Sequence, residues 1–77
     1  MEVKSWRAII VAAQGHYLLG GKKVHESSRF EKKHHAEAFA EAVSRTNRAN
    51  GRMVARADVK PSALEPEIFQ DDVQVLH

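Results

Sequence analysis

Two lysine pairs carry the most suggestive chemistry in this chain. Lys22-Lys23 follows Gly20-Gly21, and Lys32-Lys33 precedes an amphipathic stretch. Ammonium groups beside permissive glycine backbone can grip phosphates, but the GxxxxGK[ST] spacing of a nucleotide P-loop is missing. The plainer reading of the first pair is a turn kept soluble by its charges. At a helix N-terminus, lysines oppose the macrodipole by about 0.3–1 kcal/mol each, so the second pair breaks a local rule. Free N–H groups with two ammoniums would suit an anion, with His34 and His35 adding charge as the pH falls. Arg45, Arg48, Arg52 and Arg56 continue the basic series, and the first two also complement the dipole at the end of the helix. With Lys22, Lys23, Arg29, Lys32 and Lys33 they make up a candidate basic face for DNA or RNA. Tyr17 and Trp6 would stack on bases if exposed, although a chain with few large apolar residues has reason to bury both.

Other chemistries find less support. The five histidines do not form a ligand set: His34 and His35 point about 100° apart on a helix. His34, Glu37 and Glu41 share a face, but no HExxH is present. Cysteine is absent, which removes thiolate ligands, disulfides and a thiol nucleophile. No Ser/His/Asp arrangement has recognisable context, and a domain this small has little room for a deep pocket. The expectation is a non-enzymatic protein with no metal site and no cofactor.

Length and composition set the frame. Seventy-seven residues make one domain near the lower size limit for an unaided core. At 43% hydrophobic and 29% charged, the composition is that of a globular chain rather than a disordered one. Charge is segregated: positions 1–60 hold all twelve Lys and Arg residues against six acids, a balance of +6. Positions 61–77 hold Glu65, Glu67, Asp71 and Asp72 with no basic residue, a balance of −4. The longest apolar run, Ala8 to Ala13, is far too short to span a bilayer, so the chain reads as a soluble cytoplasmic protein. A thin core in so small a domain is often reinforced by homodimerisation.

The elements that would position these residues follow from periodicity. Val3 to Ala13 reads as a strand covered on both sides in its middle. Gln14-Gly15 is a turn, and His16 to Leu19 is expected to return as a second strand. Gly20 to Lys23 is either a turn into a third strand, Val24 to Phe30, or a bulge within one long strand. In the first case Val24, Glu26, Ser28 and Phe30 share a face. Ser28 to Glu31 matches a capping box, but a helix start near Lys32 or Lys33 leaves Phe30 as the buried end of a strand. Ala36, Phe39, Ala40 and Val43 then form the buried stripe, Glu41 and Arg45 pair at i,i+4, and Asn50-Gly51 stops the helix. Arg52 to Lys60 alternates as a half-buried strand ending at Pro61, and Pro66 is placed to open a short helix through Gln70. Asp71 to His77 reads as a ragged terminus or a short edge strand. The expected core is Ile9 or Ile10, Val11, Leu18 or Leu19, Phe30, Phe39, Val43, Met53 and Val59.

Trp6-Arg7-Ala8-Ile9, Tyr17-Leu18-Leu19-Gly20, and Phe30 with Ala36, Phe39 and Val43 give an apolar scaffold similar to that of AP2-type DNA-binding domains. It also resembles the arm-binding domains of phage-type integrases. The resemblance implies a three-stranded sheet ahead of one helix, the sheet reading the DNA major groove. The chain departs from it by inserting Gly21 to Arg29 and by adding a strand after the helix, so no DNA-contacting residue is carried over.

The sequence therefore predicts an α+β domain over residues 1–60, followed by an acidic segment over 61–77. Three or four antiparallel strands carry one helix on a single face, in the order β-β-(β)-α-β. The functional expectation is a nucleic-acid-binding module whose acidic tail folds against the basic face or tunes its affinity. The alternative is a protein-interaction or homodimeric module that uses a sheet edge or the Ile68-Phe69 segment.

Overall fold

The computed structural model describes residues 2–69. Three antiparallel strands carry one helix on one face: β1 (Ser5–Ala12), β2 (Val24–Glu26), α1 (Lys33–Ala49) and β3 (Val54–Ser62). The order across the sheet is β2-β1-β3, so the most apolar strand is central and both neighbours are edges. This is the expected small α+β domain with the order β-β-α-β. Two strands, not three, precede the helix, which sets the sheet apart from the scaffold it resembles in sequence.

Alternation along β1 divides the sheet into two faces. Ala8, Ile10 and Ala12 are buried against α1, and with Leu18 and Ala40 they form the centre of the core. Phe39, Val43, Val54 and Val59 pack around them, half-buried. Small residues on both surfaces, Ala8 and Ala12 below Ala36 and Ala40, let helix and sheet approach closely. The opposite face is centred on Arg7, Ile9 and Val11, flanked in register by Glu26 and Val24 on one side and by Lys60, Asp58 and Arg56 on the other. Val11 is therefore on the open face, and Met53 is 54% exposed, so neither belongs to the core under the helix.

The expected strand His16–Leu19 does not form. Gln14-Gly15 does turn the chain, closed by the His16 N–H donating to the Ala13 carbonyl at 2.9 Å. Leu18 then drops into the core and is 1% exposed. The Leu19 N–H, instead of joining a ladder, donates to Asn47 Oδ1 on the helix at 2.8 Å. Gly20 and Gly21, at φ of 86° and 78°, reverse the chain again, a conformation that only glycine adopts without strain. Pairing with β1 resumes at Lys23, whose carbonyl accepts the Ala12 N–H, and Val24 sits opposite Val11.

β2 is short because an extra residue enters the strand after Glu26. Ile9 pairs with Glu26, but Trp6 pairs with Phe30, one position out of step. The buried Ser27 bridges the irregularity: its N–H donates to the Ala8 carbonyl, and its hydroxyl accepts the Ala8 N–H at 2.9 Å. The shift turns Phe30 inward, where its ring meets Phe39 at 5.6 Å, while Val24 and Glu26 stay on the outer face. The expected common face of Val24, Glu26, Ser28 and Phe30 is broken by that extra residue.

β3 runs through Pro61 to Ser62 instead of stopping before the proline. Pro61 lacks an N–H, and a proline is compatible with a strand where that group would point away from the ladder. The segment beyond it is a strap, not the expected short helix, as far as Phe69. Its Glu67 and Ile68 N–H groups donate to the Arg29 carbonyl at 2.8 and 2.9 Å, and Ile68 bridges Phe30 in parallel. The buried Ser5 hydroxyl donates to the Leu64 carbonyl at 2.7 Å, which fixes the strap over the start of β1. Gln70 and the expected ragged end at 71–77 lie outside the described residues.

Candidate nucleic-acid interface

The helix termini decide where the basic residues lie. α1 starts at Lys33 after Lys32 in extended backbone, with no side-chain cap and no acid in its first turn. The missing compensation for lysine at this end is aromatic: Lys33 Nζ lies 5.3 Å from the centroid of the Trp6 ring. At the other end Gly51, at φ 77°, closes the helix by donating its N–H to the Arg48 carbonyl at 3.0 Å. Asn47, 4% exposed, is the joint of that end. Its Oδ1 accepts the Leu19 N–H, its Nδ2 donates to the Val43 carbonyl at 2.8 Å, and its main-chain carbonyl accepts the Arg52 N–H at 2.9 Å.

Asn47 thereby ties the Leu18–Lys23 loop and the Arg52 turn to the last turn of α1. The end of β1 adds a second tie: the Ala12 N–H donates to the Lys23 carbonyl and the Ala13 N–H to the Met53 carbonyl, both at 2.9 Å. The segments that carry Lys22, Lys23, Arg48 and Arg52 consequently meet at one end of the molecule, with Arg48 on the side of the β3 edge. Tyr17 lies with them, 49% exposed, under Lys23 Nζ at 5.6 Å from its ring centroid. The expectation that Tyr17 is a core residue fails because Leu18, its neighbour, takes the inward position. Leu19, Val24 and Met53 are also exposed near this end.

The segments that form this end carry no acid. Between Glu2 and Glu26, and again between Glu41 and Asp58, there is no acidic residue, and these two stretches supply the whole basic end. Lys22, Lys23, Arg48 and Arg52 have no acidic partner among the described residues. The local field is therefore uncompensated within the described part of the fold.

The remaining predicted residues are elsewhere. Arg29, Lys32 and Lys33 sit at the opposite end, beside the start of α1. Arg29 is taken up structurally: its Nε donates to the Glu65 carbonyl at 2.8 Å, and its guanidinium lies 3.4 Å from the Glu67 carboxylate. Arg45 pairs with Glu41 one turn away on the exposed side of α1. Arg56, on the open sheet face, pairs with Asp58 at 2.9 Å. The acidic segment does fold back, but onto Lys4, Arg7 and Arg29, leaving the Lys22–Arg52 end open among the described residues. The Arg29 N–H donates to the Glu67 carboxylate at 3.0 Å. That bond, aided by the Arg29 and Arg7 charges against a smaller desolvation penalty, holds Glu67 below the usual carboxylate range.

His34 and His35 stack edge to face with ring centroids 4.3 Å apart. Among the described residues no three His, Asp or Glu side chains converge to hold a metal, and no helix is long and apolar enough to cross a membrane. No protein-family model, curated protein or solved structure matches this chain.

Proposed function

We propose that this chain is a non-enzymatic nucleic-acid-binding module that works through the end bearing Lys22, Lys23, Arg48 and Arg52. Lys22, Lys23, Arg48 and Arg52 contact phosphates, and Tyr17 offers a ring on which an unpaired base stacks. The carrying observation is the Asn47 joint, which ties a cationic loop and the Arg52 turn to the end of the helix, with Lys23 lying over the half-exposed Tyr17 ring. Fixed cations on a rigid helix terminus favour a polyanion over a small neutral ligand. The ring beside them favours single-stranded over duplex partners.

A second reading, a protein partner at a sheet edge, is favoured by the outer edge of β3, which no other described strand covers. Ile68 is already bridged to Phe30 and half-buried, which removes it from such a surface.

The test is fluorescence anisotropy of labelled single-stranded RNA, single-stranded DNA and duplex DNA titrated with the whole chain at several salt concentrations. Residue 60 falls inside β3, so a chain cut there would lose part of the fold. Four phosphate contacts on a single strand give a slope of log affinity against log salt of about −3, reduced by about 1.4 in Lys22→Gln/Lys23→Gln. Tyr17→Ala should lower single-strand affinity by about 1–3 kcal/mol and leave the salt slope unchanged. An absence of binding at low salt with tens of micromolar protein would overturn the proposal.

A further inference from the structure

β3 is the longest strand of the sheet and lies at its edge. Its neighbour on one side is β1; on the other is a groove between its outer edge and α1, lined by Glu37, Ala40, Glu41, Ser44, Arg48 and Ala57. Exposed edges of this length are normally blunted. Here the blunting devices sit at the two ends: a register shift where Ala12 pairs with Val54, and Pro61. The stretch Arg56–Lys60 between them has no bulge or proline and is blunted only by its charged side chains.

Ladder alternation shows which backbone groups that stretch presents. Trp6 exchanges both hydrogen bonds with Phe30, so its N–H and carbonyl point towards the β2 side. Those of Arg7, Ile9 and Val11 therefore point towards β3, where their partners are Lys60, Asp58 and Arg56. Ala57 and Val59 are left with N–H and carbonyl groups on the outer edge. The floor of the groove holds a further unmet group: Ser44 is 4% exposed, and its hydroxyl has no hydrogen-bond partner.

We infer that a second copy of this chain occupies this edge, pairing β3 with β3 antiparallel about a two-fold axis to give one six-stranded sheet. Charge is what selects a second copy. On the open face β3 carries Arg56, Asp58 and Lys60 in alternation. An axis through Ala57 sets Asp58 opposite the partner's Arg56, and an axis through Val59 sets it opposite the partner's Lys60. In either register the outward N–H and carbonyl groups of the axial residue meet their own copies. An axis through Asp58 would oppose like charges and is disfavoured.

The helices agree with this arrangement. The same two-fold runs α1 antiparallel to its copy along the groove. The acidic half, Glu37 and Glu41, then meets the basic half, Arg45 and Arg48, of the other protomer. Small residues at Ala40 and Ser44 leave room for that approach. Lys22, Lys23 and Arg52 do not line the groove, so most of the basic end stays open in the dimer.

Sedimentation velocity of the whole chain from about one micromolar to one millimolar tests the inference. A concentration-dependent dimer is expected. Ala57→Pro removes one outward N–H without touching the ladder to β1, and it should give a monomer over the whole range with the wild-type circular dichroism spectrum. Asp58→Arg, on the exposed face, should weaken the dimer roughly tenfold or more through two lost cross-strand pairs, and it serves if the proline variant fails to fold. A wild-type chain that stays monomeric at one millimolar, or an Asp58→Arg variant that dimerises as strongly as wild type, would overturn the inference.

Discussion

Asn47→Ala tests the joint on which the basic end depends. The substitution removes the acceptor of the Leu19 N–H, a 2.8 Å bond in a partly buried setting, and the donor to the Val43 carbonyl. Losing a net hydrogen bond while leaving a partly buried N–H unmet costs about 1–3 kcal/mol. Alanine is the better helix former by roughly 0.5–0.7 kcal/mol, which offsets part of this. The net expectation is about 1–2 kcal/mol, a fall in Tm of about 5–15 °C for a domain of this size. Main-chain bonds from Arg52 and Asn50 to the Asn47 carbonyl survive, as do the loop's own Leu18–Lys22 and Gly21–Leu18 bonds. The damage should therefore be local: the Leu19 amide exchanges faster with solvent by an order of magnitude or more, while the amides of central β1 keep pace with global stability. Thermal unfolding by circular dichroism and amide exchange by NMR read both quantities. A Tm within 2 °C of wild type together with an unchanged Leu19 amide would show that the loop is held by Leu18 burial alone, and the reasoning about the site would fail with it.

Ile10→Ala, at the fully buried centre of β1, should cost about 2–5 kcal/mol, most of the stability available to a domain this small. Urea unfolding measures it, and a loss below 1 kcal/mol would contradict the placement of the core. Glu67 is a carboxylate whose folded pKa lies below its unfolded one, so its contribution is present above the ordinary carboxylate range and disappears as pH falls through the folded value. Glu67→Gln should flatten stability against pH in that acidic window and shift the Arg29 amide resonance; a pH profile identical to wild type would refute the contact.

Periodicity made the helix legible because Ala36, Phe39, Ala40 and Val43 can share one face only at helical spacing, and Asn50-Gly51 supplies a stop that works through local backbone energetics. The strand character of Val3–Ala13 and the alternation of β3 were legible for the same local reason. His16–Leu19 misled because a short apolar run states only that something is buried, not whether a ladder or a side-chain amide satisfies its backbone. The Asn47 contact joins residues far apart in sequence, and a buried asparagine on a helix looks like any polar helix residue until its partner is known.

The segregation of charge was set by the sequence alone: acid-free stretches at 3–25 and 42–57 make some basic surface unavoidable once both come together. Whether they come together was a tertiary matter. The Leu18 side chain had to find the core, Asn47 had to capture the loop, and one extra residue after Glu26 had to turn Phe30 inward beneath Phe39. The same packing spent Arg29 on the acidic strap and left Tyr17 outside. Local propensity fixes what each segment can be. Long-range burial and the satisfaction of distant polar groups decide which cations remain free and which face they share.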